Sequence, residues 1–262
     1  MGNGHWLLKQ ITGFGFLLMM GVSMNSDAGL FGSGGTSWKE EVLLHDGSRI
    51  IVERTVERGG RHEIGQQPPI KEQSLTFTMP GTNEKVVWED KFTEDVGGAN
   101  FLPMLLDMRD GVAYLVASPM GCLSYNKWGR PNPPYVVFKY QGKAWNRIML
   151  QELPAEIQTP NLIASSPDDE AKKAGQRIVS AEAIKALIAG YRTLEHKIIL
   201  REAVKGGGIT SCEHMIPYGK GGWLGIDWFS DQPTYEACLR FCERKGVSPK
   251  DCPCETLFEG AK

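Results

Sequence analysis

The chain has 262 residues, which is enough to bury one large core or two smaller ones. It carries 29 basic and 31 acidic side chains, a formal net charge of -2, which gives no general attraction to nucleic acid or to an anionic membrane and argues against both as partners. Hydrophobic residues make up 41% and charged residues 23% of the sequence, which is ordinary for a globular protein and argues against wholesale disorder.

The first 28 residues are predicted to be a signal peptide. Lys9 precedes an apolar run at 11–22, about a dozen residues long, whereas a helix that spans a bilayer needs roughly 20. The run therefore fits the apolar core of an export signal, and the small residues up to Ala28 predict cleavage before Gly29. An uncleaved anchor is the alternative. Cleavage would leave a periplasmic or secreted protein with no stable membrane span.

All six cysteines follow this signal, as is typical of exported proteins with disulfide bonds. Residues four apart share one face of a helix, so Cys238 and Cys242 are poorly placed to bridge each other but can each bridge to a facing segment. We therefore predict disulfide bonds between Cys238 and Cys254, between Cys242 and Cys252, and between Cys122 and Cys212. A four-thiolate zinc site in the tail is the rival hypothesis.

Residues 37–153 alternate between short strands and turns. Eight candidate strands form four successive hairpins, whose turns lie at 45–48, 80–83, 109–111 and 141–143. The pair Asp46 and Gly47 is typical of the positive φ angles of a tight hairpin. Pro103 lacks an N–H for the ladder and predicts an edge position or a bulge. The predicted fold class is mainly β, an antiparallel β-sandwich or barrel built from hairpins; a four-bladed propeller would need about sixteen strands.

The remaining segments differ in composition from this β domain. Residues 29–36 are glycine-rich and predict a flexible leader. Residues 154–179, rich in proline and charged residues, predict a linker or a surface-hugging connection. Residues 180–262 predict an α-helical, disulfide-bonded C-terminal region with helices over 181–204 and 233–245. The apolar stripe of the first helix is expected to pack on the β domain, with partner binding as the alternative.

Aromatic and basic side chains concentrate in two segments, 118–134 and 209–231, which the predicted bridge from Cys122 to Cys212 would bring together. Large rings on a rigid β scaffold commonly form recognition surfaces. The predicted binding residues are Tyr125, Asn126, Trp128, Arg130, Trp223 and Trp228. Burial of these rings against the β domain is the alternative. The expected partner is another envelope protein, a peptide or a glycan.

No motif of a named reaction is present: the sequence lacks H-E-x-x-H, G-x-S-x-G and a phosphate-binding glycine loop. We therefore assign no catalytic residue, cofactor or metal ligand, and we favour a binding protein over an enzyme. The alternative is an envelope hydrolase that uses His214 or His62 beside a carboxylate. The adjacent pair His45 and Asp46 is interpreted as polar residues that flank a hairpin.

Three stretches carry a resemblance: SWKEEVLLHDGSRIIVERTVERGGRHEIGQ, FLPMLLDMRDGVAYLVASPMGCLSYNKWGRPNPPYVVFKYQGKAW and LPAEIQTPNLIASSPDD. With these, the chain resembles a group of uncharacterised exported proteins of Gram-negative bacteria, over roughly residues 37–203. The resemblance implies a bacterial envelope setting, and it carries no assigned activity or catalytic residue.

Overall fold

Two four-stranded antiparallel sheets follow each other along the chain. The computed structural model describes residues 35–219 and 221–259, so the predicted signal peptide and most of the predicted leader lie outside the described residues. The first sheet contains, in chain order, β1 (Thr36–Leu43), β2 (Arg49–Arg58), β3 (Ile70–Thr78) and β4 (Lys85–Asp90). The second contains, also in chain order, β5 (Phe101–Arg109), β6 (Val112–Pro119), β7 (Val136–Gln141) and β8 (Ala144–Ile148).

These strands confirm the predicted fold class. Inward side chains of both sheets share one hydrophobic core, in which Val52 and Phe77 of the first sheet join Leu106 and Leu115 of the second. Two sheets that enclose a common core form a β-sandwich. Pro103 lies in the edge strand β5 at a shift of register, as its missing N–H predicts.

The outer faces of the two sheets differ. Buried and exposed residues alternate strictly along β4, so the outer face of the first sheet is open to solvent. The second sheet is buried on both faces, because Tyr114 and Val137 pack against Ile157 and Ile199 from the chain beyond β8. The chain that follows the sandwich therefore serves as a third layer on the second sheet.

The helices and turns are short. They are α1 (Gly121–Lys127), α2 (Pro167–Ala174), α3 (Ala181–Ala189), α4 (Asp227–Ser230), α5 (Tyr235–Lys245) and α6 (Cys254–Leu257), with 3-10 turns at Leu150–Glu152, Leu194–His196 and Gly208–Ser211. A small hairpin, β9 (Met215–Tyr218) and β10 (Gly222–Gly225), precedes α4. Within the described ranges, no helix has both the length and the apolar character needed to cross a membrane.

Residues 154–179, interpreted as a linker or a surface-hugging connection, pack closely against the sandwich and are therefore not a free linker. This segment contains α2 and buries Leu162 completely, and it belongs to the same compact unit as the sheets. Asn161 explains the attachment: its Oδ1 accepts from the N–H of Leu106 at 2.9 Å, and its Nδ2 donates to the carbonyl of the same residue at 2.8 Å. The amide thus pairs with the edge of β5 as a neighbouring strand would.

The first predicted helix, over 181–204, is shorter in the structure. Its start is as predicted, with the Ser180 hydroxyl as the N-cap, but α3 ends before Gly190. Beyond Gly190 the chain turns away and buries Ile199 on the outer face of the second sheet. Tertiary burial thus ends this helix early. The second predicted helix is confirmed as α5, which ends at Gly246 in the left-handed conformation.

A buried ion pair holds the segment after the sandwich to the first sheet. Glu40 and Arg54 are 0% and 1% exposed, and Arg54 Nη1 donates to Glu40 Oε1 at 3.1 Å. The same Nη1 donates to the carbonyl of Ile163 at 2.6 Å, and Glu40 Oε2 accepts from the Ile163 N–H at 3.2 Å. The Trp38 indole donates to Glu40 at 2.7 Å. Both charges are therefore hydrogen-bonded as well as paired, which a buried ion pair requires.

We expect Arg54→Leu to lower the free energy of unfolding by about 3–5 kcal/mol, because it leaves the Glu40 carboxylate buried without its counter-charge. Denaturant unfolding followed by circular dichroism measures this loss. The control is Arg49→Leu, since Arg49 pairs with Glu41 and Glu182 at the surface, where solvent screens ion pairs and their loss changes stability little. Equal losses in the two variants would contradict the assigned role of the buried pair.

Candidate functional site at the module junction

The predicted recognition loop at 118–134 folds around α1, which connects β6 to β7. The Cys122–Cys212 bridge links this helix to the C-terminal region, with the Cα atoms 5.5 Å apart, and it confirms the predicted pairing. We call residues 209–259 the C-terminal module. The bridge brings together the two segments that carry the predicted binding residues.

Asn126 connects α1 to the backbone of the module. Its Nδ2 donates to the carbonyls of Cys122 and Glu213, each at 2.9 Å. Its Oδ1 accepts from the backbone N–H of Met215 at 2.9 Å. Both ends of the amide are thus occupied by the protein, so Asn126 positions the first residue of β9 and is not free to bind a partner.

Arg130 makes a second connection to the same backbone. Its guanidinium donates to the carbonyls of Cys212 at 2.8 Å and Glu213 at 2.9 Å, and to Asn126 Oδ1 at 3.0 Å. Its central carbon lies 5.0 Å from the ring centre of Tyr125, a cation–π contact. Tyr125 itself is 3% exposed. We name Asn126, Arg130 and the Cys122–Cys212 bridge the clasp.

Trp128 packs against the sandwich. Its ring centre lies 4.6 Å from that of Phe101 and 6.2 Å from that of Phe138. Its indole N–H donates to Asn100 Oδ1 at 3.2 Å. Arg147 covers the outward face of the ring at 5.5 Å. The structure therefore places Trp128 at the margin of the hydrophobic core.

Asp90 fixes the position of the chain beneath this tryptophan. The carboxylate is 4% exposed and accepts from the backbone N–H groups of Asn100 and Phe101, each at 2.8 Å, and from Gln73 Nε2 at 3.1 Å. Burial raises the pKa of the Asp90 carboxyl, although these N–H donors oppose the shift. The end of β4 and the beginning of β5 are thereby held together.

Trp223 also contacts the sandwich. Its indole N–H donates to the carbonyl of Asp95 at 2.6 Å, and the Asp95 carboxylate pairs with Lys127 of α1 at 2.9 Å. Trp228 behaves differently. It is 57% exposed on α4, whereas the next residue, Phe229, is 0% exposed in the core of the module. Of the three predicted tryptophans, Trp228 alone presents most of its ring to solvent.

The tail cysteines pair as predicted, Cys238 with Cys254 and Cys242 with Cys252, with Cα separations of 5.8 and 6.0 Å. The sulfurs of Cys238, Cys242 and Cys254 lie within 4.8 Å of one another, which is the proximity that the rival zinc hypothesis requires. Each is bonded to another sulfur, so none is a free thiolate that could bind the metal. Three disulfides indicate folding outside the reducing cytosol.

The histidines of the hydrolase alternative do not lie beside hydrogen-bonded carboxylates. The His62 ring contacts the carbonyl of Gly60 at 3.0 Å, and His214 is exposed. Partial desolvation of the ring lowers the pKa of His214, and the charge of Arg130 adds to the effect. Throughout residues 35–219 and 221–259, neither histidine accepts or donates a hydrogen bond to an acid. The geometry gives the hydrolase alternative no support.

Sequence reasoning missed one histidine–carboxylate pair. His45 Nδ1 lies 2.7 Å from Asp107 Oδ1, and the His45 backbone N–H donates to Oδ2 at 3.0 Å. Asp107 is 3% exposed, so the pair ties the β1–β2 turn to the interior of the second sheet. The signal available in the sequence was Asp107, a single carboxylate within the apolar strand around Leu106, which indicates a buried acid that needs a partner. The neighbour that His45 uses is therefore Asp107, and not the adjacent Asp46 considered from sequence.

A shallow cleft of 390 Å³ lies at the turns of the first sheet, distant in sequence from all predicted binding residues. Its lining consists of Ser48, Arg49, Ile50, Ile51, Thr78, Met79, Pro80, Gly81 and Thr82. This lining contains no histidine, carboxylate or cysteine. The hydroxyls of Ser48, Thr78 and Thr82 therefore have no general base in the lining that could activate them as nucleophiles.

Comparison with known proteins adds no relative: no protein-family model, curated protein or solved structure matches this chain significantly.

The His45–Asp107 pair is expected to make stability depend on pH. The hydrogen bond and the negative charge of Asp107 raise the pKa of His45 above its ordinary value of 6.5. The pair therefore stabilises the fold fully below that value, and the effect is lost as the pH rises through the higher folded pKa. The stability difference between the wild type and His45→Gln should be larger at about pH 5.5 than at about pH 8.5.

Denaturant unfolding at both pH values measures this difference. Asp90 contributes the same pH-dependent change in unfolding free energy to the wild type and to the variant, so its titration cancels when the two are compared. His62→Gln, which removes an exposed loop histidine, controls for the loss of a histidine as such. A difference for His45→Gln that stays constant between the two pH values would disprove the linkage.

Trp128→Ala is expected to lower the free energy of unfolding by about 3 kcal/mol, because it removes the ring contacts with Phe101 and Phe138 and leaves a cavity. Trp228→Ala is the matched control, and its stability should change by about 0.5 kcal/mol or less because its ring is largely exposed. Thermal and denaturant unfolding of the two variants tests the contrast. A neutral Trp128→Ala would restore Trp128 as a surface residue available for binding.

Proposed function

We propose that this chain is an exported bacterial envelope protein, periplasmic or secreted, that binds another envelope component through its C-terminal module. The three disulfides support an oxidising compartment. The predicted signal peptide and the resemblance of residues 37–203 to exported proteins of Gram-negative bacteria support the bacterial envelope. In this proposal the β-sandwich is the scaffold and the module is the recognition element.

The exposure of Trp228 carries the proposal. Five of the six predicted binding residues have their side chains engaged within the protein, at the clasp or against the sandwich, namely Tyr125, Asn126, Trp128, Arg130 and Trp223. Trp228 is 57% exposed. An exposed tryptophan on a fixed backbone is the residue type most enriched where partners bind tightly. The proposed contact surface is therefore centred on Trp228.

The backbone beneath this ring is rigid. Phe229, the next residue, packs edge-on against Phe241 of α5 at 5.2 Å between ring centres. Two nested disulfides then join α5 to the segment that contains α6. A surface that is already ordered loses little conformational entropy when it binds. The module can thus present the indole at a low entropic cost.

The side chains near Trp228 indicate the chemistry of a partner. Asp227 and Asp231 are exposed on the same short turn, where the Asp231 N–H donates to the Asp227 carbonyl at 3.0 Å. An indole face contacts apolar rings or the C–H face of a sugar, and the two carboxylates accept hydrogen bonds from hydroxyl or amine groups. This combination fits the predicted partners: an envelope protein, a peptide or a glycan.

Trp228→Ala is expected to reduce partner retention at least about tenfold, which corresponds to about 1.4 kcal/mol, because it removes the central ring of the contact. Immobilised mature protein is incubated separately with soluble envelope proteins and with purified cell-wall glycan, and the retained material is quantified. Met149→Ala is the matched control, since Met149 is an apolar side chain with 68% exposure at the end of the sandwich. Equal retention by wild type and Trp228→Ala in both arms would overturn the proposal.

A further inference from the structure

The two disulfides of the module lie against each other. The Sγ atoms of Cys242 and Cys254, which belong to different bridges, are 3.6 Å apart. The Sγ atoms of Cys252 and Cys254, which also belong to different bridges, are 3.4 Å apart. These separations are close to the van der Waals contact of two sulfur atoms. A thiolate formed at one bridge would therefore already touch the other bridge.

The four cysteines differ in access. Cys238 and Cys254 are each 0% exposed, and Cys242 is 4% exposed. Cys252 is only partly buried, in the non-helical stretch before α6. Thiol–disulfide exchange requires an attacking thiolate to reach a sulfur atom. The Cys242–Cys252 bridge is therefore open to attack at Cys252, whereas the Cys238–Cys254 bridge is shielded at both ends.

We propose that these paired bridges form an internal thiol–disulfide exchange site, entered at Cys252 by the thiol of a small molecule or of a redox-active protein. In the first step the incoming thiolate forms a bond with Cys252 Sγ and the Cys242–Cys252 bond breaks. The electron pair of that bond leaves with Cys242 as its thiolate. One disulfide is exchanged for a mixed disulfide, so no further oxidant or reductant is needed.

The second step takes place inside the module. The Cys242 thiolate, 3.6 Å from Cys254 Sγ, forms a bond with it while the Cys238–Cys254 bond breaks, and Cys238 leaves as a thiolate. The count of disulfide bonds is again unchanged. The new Cys242–Cys254 bridge still joins α5 to α6, so the module stays cross-linked while its buried bridge moves by one helical turn along α5.

The exchange would change the support of the proposed contact surface around Trp228. α4, which carries Trp228, packs against both α5 and α6. A changed link between these two helices alters the support beneath α4. Reaction of an external thiol at Cys252 would thus change the support of Trp228, a residue to which Cys252 is not bonded. The proposed exchange itself does not depend on a binding function.

Peptide mapping separates the possible products. Reduced glutathione is added to the intact mature protein, the reaction is quenched with acid, free thiols are alkylated and the protein is digested with trypsin. Cleavage after lysine and arginine leaves Cys238 in peptide 221–240, Cys242 in 241–244, and Cys252 together with Cys254 in 251–262. We expect alkylated 221–240 to be released while 241–244 stays linked to a glutathionylated 251–262.

Release of alkylated 241–244 with 221–240 still linked would show that exchange stops after the first step, and would overturn the proposal. Glutathione attached first to 221–240 would also overturn it, because entry would then be at the buried bridge. The Cys122–Cys212 bridge is the internal control. It has no second bridge beside it in the described part of the chain, and it should open to its own two thiols without crossing over.

A double variant, Cys242→Ser with Cys252→Ser, tests the route from the other side. With the Cys242–Cys252 bridge removed, release of 221–240 by glutathione should slow at least about tenfold, because no Cys242 thiolate can then form to attack the shielded Cys238–Cys254 bridge. Release at the wild-type rate would show direct attack on the Cys238–Cys254 bridge. If circular dichroism shows that this variant does not fold, the mapping of the wild-type protein decides the question alone.

Discussion

The buried Asp90 carboxylate is the contact on which the arrangement of the functional region depends. It lies where the first sheet ends, and it accepts hydrogen bonds from the two backbone N–H groups with which the second sheet begins. Asn100, held in this way, accepts from the Ser124 hydroxyl of α1 and from the Trp128 indole. α1 in turn carries Cys122 and the bridge to the module. Asp90 thus fixes the point between the two sheets from which α1 is held, and α1 and the residues directly after it carry the clasp that positions the module.

Buried charges act in the same way elsewhere in the sandwich. Glu40 and Arg54 bind the backbone of Ile163, and Asp107 binds the backbone and ring of His45. In each case a charged side chain inside the fold contacts the main chain of a segment distant in sequence. Such groups are costly to bury unless every hydrogen bond is made, and the described residues leave no buried side-chain polar atom without a partner. Only the arrangement in which all of these contacts form together avoids that cost.

The aromatic and basic residues at the junction illustrate how one composition serves two purposes. Trp128, Arg130 and Trp223 have the character of a recognition surface, yet in this protein they attach the module to the sandwich. Interfaces within a chain and between chains use the same chemistry, since both require large rings and charged hydrogen-bond donors around a desolvated centre. Once these residues are engaged internally, Trp228 is the one predicted binding residue that stays exposed, and the buried Phe229 and the nested disulfides keep its backbone rigid.

The amino-acid sequence by itself determined the eight strands, their hairpins, α5 and the two nested cysteine pairs of the tail, because turn residues, alternation and helical spacing act between near neighbours in the chain. The Cys122–Cys212 bridge joins residues 90 apart and followed from the sequence only as the remaining pair. Only the tertiary structure decided the rest. The early end of α3 depends on the burial of Ile199, the docking of 154–179 depends on Asn161 meeting β5, and the division between Trp128 and Trp228 depends on which ring the sandwich covers. These outcomes follow from contacts between residues far apart in sequence, and no local pattern records which side chains such contacts will bury.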